Sequence, residues 1–196
     1  MQGGGIVNSS DNQRVKLSKR LLRESLIRLL EQHHIYEITV SQLCTAAQIN
    51  RSTFYKYYDN VREIYEEIEN EALSACAACV ATVESHDKEA VIKRVEELLL
   101  HIKENADIFR LLLENSKDGE FSYKLVEDTV GAVTKMYKPV LGSKKKYAQY
   151  LSLFVVSGAL SVMKKWLDTG MKESPHELAK LILYIATERF SNNTTS

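Results

Sequence analysis

"ITVSQLCTAAQINRSTFYKYYDNVREIYEEI", Ile38 to Ile68, decides how the chain folds. Thr39 followed three residues later by Gln42 is a capping box, in which the hydroxyl accepts an orphan N–H and the amide reaches back to the cap. A short helix follows, with Leu43, Ala46 and Ala47 facing inward. Asn50 is a residue type favoured as a cap, so a second short helix starts there and runs through Tyr58. Asn60, with Glu63 at the capping-box position, opens a longer helix. Two short helices joined by a turn of a few residues make a helix-turn-helix, and the small Ala46–Ala47 pair lets them approach closely.

Phe54 and Tyr58 lie four apart and share one face of the second short helix. If they pack inward, Arg51, Ser52, Thr53, Tyr55, Lys56 and Tyr57 are left toward solvent or a partner. These residue types suit duplex DNA. Arg51 can present its fork to guanine O6 and N7, and Thr53 can meet a thymine methyl or a base edge. Ser52, Lys56 and the phenols of Tyr55 and Tyr57 can reach phosphate oxygens. Thr39 and Ser41 offer hydroxyls and backbone N–H groups at a helix start, a natural phosphate site. Three tyrosines cannot all face inward on one short helix, which weighs against a merely solvated helix with aromatics in its core.

Upstream, Leu22, Leu26, Leu29 and Leu30 form one apolar stripe on a helix expected from Ser18 to His33, and Lys16, Lys19, Arg20 and Arg23 make a basic lead-in. Residues 1–17 read as a flexible arm. Residues 1–58 hold eight basic side chains against four acidic ones, a net +4, and the remainder carries −4, so the whole sums to zero. A basic front on an acidic body suits a front that meets polyanions.

Downstream, only two Pro and eight Gly are present, which argues for long helices. Helices are expected from Val61 to about Val83, Lys88 to Asn105, Asp107 to Asn115 and Glu120 to Lys138, the last stopped by Pro139. Another runs from Ser143 to Gly170, and a final one is capped by Ser174 and Glu177 and ends near Phe190. From Tyr150 to Leu167 almost no polar side remains, so that helix must be covered all round. A second subunit is the expected cover, with Leu151, Phe154, Val155, Gly158 and Val162 meeting Leu181, Ile182 and Ile185 of the last helix. A deeply buried helix in a monomer is the plainer alternative.

The quoted stretch, with the helix before it, resembles the DNA-binding region of the TetR/AcrR family of one-component transcriptional regulators over about residues 18–68. "FVVSGALSVMKKWLDTGMKESPHELAK", residues 154–180, is similar to the last two helices of one branch of that family. The resemblance implies an all-α homodimer: an N-terminal three-helix helix-turn-helix head (18–62) on a larger C-terminal effector-binding and dimerisation domain (63–190), with a flexible tail at 191–196. It implies a cytoplasmic repressor that binds a palindromic operator in double-stranded DNA and is released by a small molecule. Gln48 departs from the family's usual turn Gly, His34 from a common Gly, and Val61 from a Lys that often contacts phosphate, a contact that is lost unless Arg62 replaces it. A helical co-regulator that binds a partner protein instead of DNA is the alternative.

Helical regulators hold ligands between bundle helices. His101, Phe109, Leu113, Tyr123, Tyr137 and Trp166 are candidates to line such a cavity, suiting an uncharged or amphiphilic molecule, and each also reads as an ordinary core or surface residue. Cys44, Cys76 and Cys79 are too few for a disulfide framework and point to a reducing compartment. Cys76 and Cys79 form a lone C-x-x-C in an Ala-rich helix, read as packing residues. No nucleotide loop, nucleophile elbow or zincin motif is present, the histidines are scattered, and no run approaches a membrane span. The expectation is a non-enzyme without cofactor or metal.

Overall fold

The computed structural model describes residues 9–81, 87–115, 119–140 and 142–191. All regular structure in them is helical. The chain divides into two compact units, Met1–Asn70 and Glu71–Ser196. The division falls inside a helix, past the expected boundary at residue 62.

The first unit contains α1 (Ser9–Leu30), a 3-10 turn (Ile35–Glu37), α2 (Val40–Ala47), α3 (Arg51–Phe54) and the first half of α4 (Val61–Ala81). Helix α1 begins nine residues earlier than the expected Ser18, so residues 9–17 are not a flexible arm. No Pro or Gly interrupts that stretch, and α-helix needs nothing more to propagate back from a packed segment. Leu22 and Leu26 are fully buried on the expected stripe, with Ser25 between them held by Arg28 Nη2 at 2.9 Å. The Thr39 box closes as the spacing predicts: Gln42 N–H donates to Thr39 Oγ1 (3.2 Å), and Thr39 N–H donates to Gln42 Oε1 (2.8 Å).

The second unit holds the rest of α4, then α5 (Lys88–Glu104), α6 (Ala106–Asn115), α7 (Glu120–Val140), α8 (Ala148–Asp168) and α9 (Pro175–Ser191). Helix α7 packs chiefly on α8, and α5 on α9. Two boundaries differ from expectation. Pro139 falls within the last turn of α7 instead of beyond it, where its missing N–H removes a single bond. The stretch from Gly142 to Tyr147, with three consecutive lysines, forms a 3-10 turn, so α8 starts at Ala148 instead of Ser143. Helix α8 ends in a left-handed turn at Gly170 (φ 83°) and Met171 (φ 54°), with Met171 N–H returning to Trp166 O at 2.8 Å. Arg110 Nη2 donates to Leu167 O (2.9 Å), placing a cation at the negative end of α8. Ser174 and Glu177 cap α9 reciprocally. No helix among the described residues is long and apolar enough to cross a membrane.

Gln48 ends α2 in the left-handed region (φ 55°, ψ 40°), its N–H shared between Cys44 O and Thr45 O. The turn is therefore kept in the geometry that favours Gly, with an exposed Gln occupying it. Left-handed backbone costs an L-residue about 1–2 kcal/mol, partly offset by the entropy Gly would lose on folding. Gln48→Gly is expected to raise unfolding stability by roughly 0.5–1 kcal/mol, read as a higher urea midpoint at unchanged slope.

Candidate nucleic-acid interface

Helix α3 has one turn of α-helix. Tyr55 N–H bonds to Arg51 O, Tyr57 N–H to Phe54 O in a tighter turn, and Tyr58 N–H to Phe54 O. The expected helix from Asn50 to Tyr58 is thus shorter, because the chain tightens after Phe54 to bring Tyr58 under it. Asn50 caps through its backbone alone: its carbonyl accepts from Thr53 and Phe54, and its side chain makes no capping bond.

Phe54 is fully buried and Tyr58 nearly so, their rings 6.0 Å apart. Around them Arg51, Ser52, Tyr55 and Lys56 are exposed, and Thr53 and Tyr57 are half-buried. Tyr55 stands edge-on to Phe54 (5.3 Å, 89°) and remains 57% exposed, so the contact orients the phenol without hiding it. Thr39 and Ser41 are exposed at the start of α2. Among the described residues, neither Arg51 nor Lys56 pairs with a carboxylate, so both charges are available to a partner.

The neighbouring cations are already engaged. Lys19 Nζ bonds Glu67 at 3.3 Å and lies 4.7 Å from the Tyr58 ring centroid. Arg62 bonds Glu66 (2.8 Å) and the Tyr36 hydroxyl (2.7 Å), and the Glu66 bond holds its guanidinium above the usual range. Val61 is buried. The start of α4 therefore lacks a lysine, and the one cation beside it is bound within the protein. Burial pushes the Cys44 thiol up, the nearby Arg51 charge opposing, so it stays a neutral packing group.

The ligand and interface candidates fare differently. The second unit holds a partly open apolar cavity lined by α4, α5, α7, α8 and α9, and none of His101, Phe109, Leu113, Tyr123 or Trp166 lines it. His101, Phe109 and Phe121 instead form an edge-packed ring series, and the Trp166 indole donates to Glu173 O at 3.0 Å. Leu113 is half-buried and Tyr123 faces an outer groove; the Tyr137 side chain lies outside the described residues. Of the eight expected subunit contacts, Phe154, Gly158, Leu181 and Ile185 are exposed and Val162 is half-buried. Leu151 is packed into its own unit's core, and Val155 and Ile182 line the cavity; these three are turned away from an outer face. Tyr150 and Tyr184 are also exposed, and Tyr150 lies four residues before Phe154 on α8. Cys76 is buried against the cavity, the Cys79 side chain lies outside the described residues, and no group of potential metal ligands occurs among the described residues.

The family model described as "Transcriptional regulator C-terminal region", that of the TetR regulators, matches residues 89–188, half of the chain. The chain belongs to the TetR family of transcriptional regulators. Family membership makes it a transcription factor and not an enzyme. A TetR regulator from Streptococcus agalactiae 2603V has a similar fold, at TM-score 0.66 and 19% identity over 92% of this chain and 99% of that one. The dihydroxyacetone kinase operon activator DhaS is also similar, at TM-score 0.58 and 15% identity over 89% and 97%. No curated protein matches by sequence. In this TetR regulator one of the bonds that fasten the head to α4 is Tyr58 Oη donating to Glu67 Oε2 at 2.8 Å. Tyr58→Phe is expected to cost about 1 kcal/mol in a urea titration, the usual net worth of one such bond.

Proposed function

We propose that the protein is a homodimeric repressor that reads a palindromic operator with α2 and α3 and releases it when a small molecule enters the second unit. One observation supports the DNA reading above the others: Phe54 and Tyr58 are buried while Arg51, Ser52, Tyr55 and Lys56 are exposed and, among the described residues, the two cations have no carboxylate partner. Arg51 and Thr53 take the base edges; Ser52, Lys56, Tyr55, Tyr57, Thr39 and Ser41 take phosphates.

Dimerisation rests on an apolar outer face that a monomer would leave in water. Tyr150 (74% exposed), Phe154 (70%), Leu181, Tyr184 and Ile185 crowd α8 and α9, and the exposed Gly158 permits close approach. A two-fold axis through that face is the simplest closed assembly, and it suits a two-fold operator.

Release follows from α4. The helix is continuous from Val61 to Ala81; Glu67 on it holds Tyr58, and Cys76 on it lines the cavity. An effector that binds better when α4 is displaced at Cys76 shifts the head away from its operator-binding position; equal affinity for both states would shift nothing. Repression is the sense that the resemblance implies. DhaS, of similar fold, is named an activator, so a promoter reporter with and without the protein decides the sign.

The second reading, a partner-protein co-regulator, draws on the start of α4, where Val61 is buried and Arg62 is bound to Tyr36 and Glu66. Operator selection from random DNA separates the two. An enriched palindrome with fixed half-site spacing supports the repressor, and absence of any enrichment at moderate salt favours the co-regulator. On the selected operator, Arg51→Ala is expected to lose about 1–3 kcal/mol of discrimination at one base pair per half-site, read by mobility shift against the mismatched duplex. Phe154→Glu is expected to convert the dimer to monomer in sedimentation and to weaken operator binding by at least tenfold, because two linked heads bind far better than one.

A further inference from the structure

The cavity of the second unit specifies its occupant more narrowly than the proposed ligand response requires. Its volume is about 170 Å³. Its walls are aliphatic, and small residues from three helices, Ala132, Ala159 and Ala186, leave the space between them. Sulfur aside, the polar groups at its wall among the described residues belong to Thr129 and Arg94. Thr129 Oγ1 donates to Leu125 O at 2.7 Å, which commits its proton to the helix. Arg94 pairs with Glu97 at 2.8 Å and is 45% exposed, so its aliphatic stem faces the cavity while the charged head stays with water and its carboxylate. No free donor or unpaired charge is offered to a ligand. A carboxylate or ammonium placed there would lose its hydration with nothing in return. A buried apolar cavity of about 150 Å³ admits benzene, and this partly open one offers similar space.

Resting on the ligand-released reading above, we propose that the effector is a compact, uncharged, hydrocarbon-like molecule, of one aromatic ring or a short aliphatic chain, bound in this cavity against Cys76. Its affinity comes from apolar contact and shape, and it excludes charged analogues of the same size. His101, Phe109, Tyr123 and Trp166, which do not line it, play no part in its recognition.

The test uses the full-length protein with toluene, benzoate and benzylammonium at equal concentrations, read by thermal unfolding and by mobility shift on the selected operator. Toluene at about 100 times its Kd is expected to raise the Tm by about 5–10 °C and to release the operator. Benzoate and benzylammonium are expected to do neither. Ala159→Leu, which fills the space, is expected to abolish the toluene shift while keeping operator binding. Thr129→Val, which removes the hydroxyl at constant volume, is expected to leave the toluene shift unchanged, and it keeps the test sound should the larger side chain impair folding. Absence of a toluene shift, release by either charged compound, or toluene binding without release overturns the proposal and leaves the operator reading standing. Failure to bind any operator overturns that reading instead, and the thermal shifts still decide what the cavity accepts.

Discussion

Everything at the proposed DNA-reading surface depends on two rings being buried under a helix of one turn. A four-residue helix has no stability of its own, because nucleation costs more than its few hydrogen bonds return. Helix α3 exists because Phe54 and Tyr58 are held from below, with Tyr58 fastened to Glu67 and overlain by Lys19. Once those rings are placed, the period of the backbone leaves Arg51, Ser52, Tyr55 and Lys56 no inward direction. The surface is thus a by-product of core packing, and its geometry is as firm as the two anchors beneath it. The same contacts connect α1, the turn after α3 and α4, so the head holds its reading residues against the helix that leaves it.

What the sequence reveals, and what it hides, divides by the range of the interaction. The Thr39–Gln42 box, the Leu22 and Leu26 stripe and the Phe54–Tyr58 pair are set by neighbours three or four residues apart, and all three are legible. Gln48 is a harder case: its residue type argues against the left-handed turn, yet the packing of α2 imposes it. Helix α8 fails for the opposite reason. It carries apolar residues on almost every side, so periodicity gives little phase, and core residues such as Leu151 cannot be told from outward ones such as Phe154. The cavity was the least legible of all. Chemically interesting side chains such as His101 and Trp166 attract notice, but a cavity forms where alanines from separate helices face one another, and that coincidence leaves no local mark.

The departures at residues 48 and 61 have different physical weight. Gln48 adopts the left-handed turn that favours Gly, at an energetic cost. Val61 alters the electrostatics instead. With Val61 buried and Arg62 bonded to Tyr36 and Glu66, the positive charge offered to a proposed phosphate backbone is concentrated at Arg51 of α3, at Lys56 in the turn after it, and on the exposed Arg14 and Lys16 of α1. Fewer phosphate contacts mean fewer counterions released and a shallower dependence of affinity on salt. In the proposed DNA complex, base-edge contacts would then account for a larger share of the binding.

Helix α8 serves three surroundings at once, which explains its composition. Leu151, Trp166 and Leu167 fill the core, Val156, Ala159 and Met163 face the cavity, and Tyr150, Phe154 and Gly158 face outward. A helix is stiff over five turns and a packed interior yields by discrete steps instead of continuous deformation. A molecule pressing on Val156 and Ala159 therefore bears on the element that displays Phe154 and Gly158 less than one turn away. In the proposed assembly, the effector and the partner subunit therefore bear on the same rigid helix from different sides.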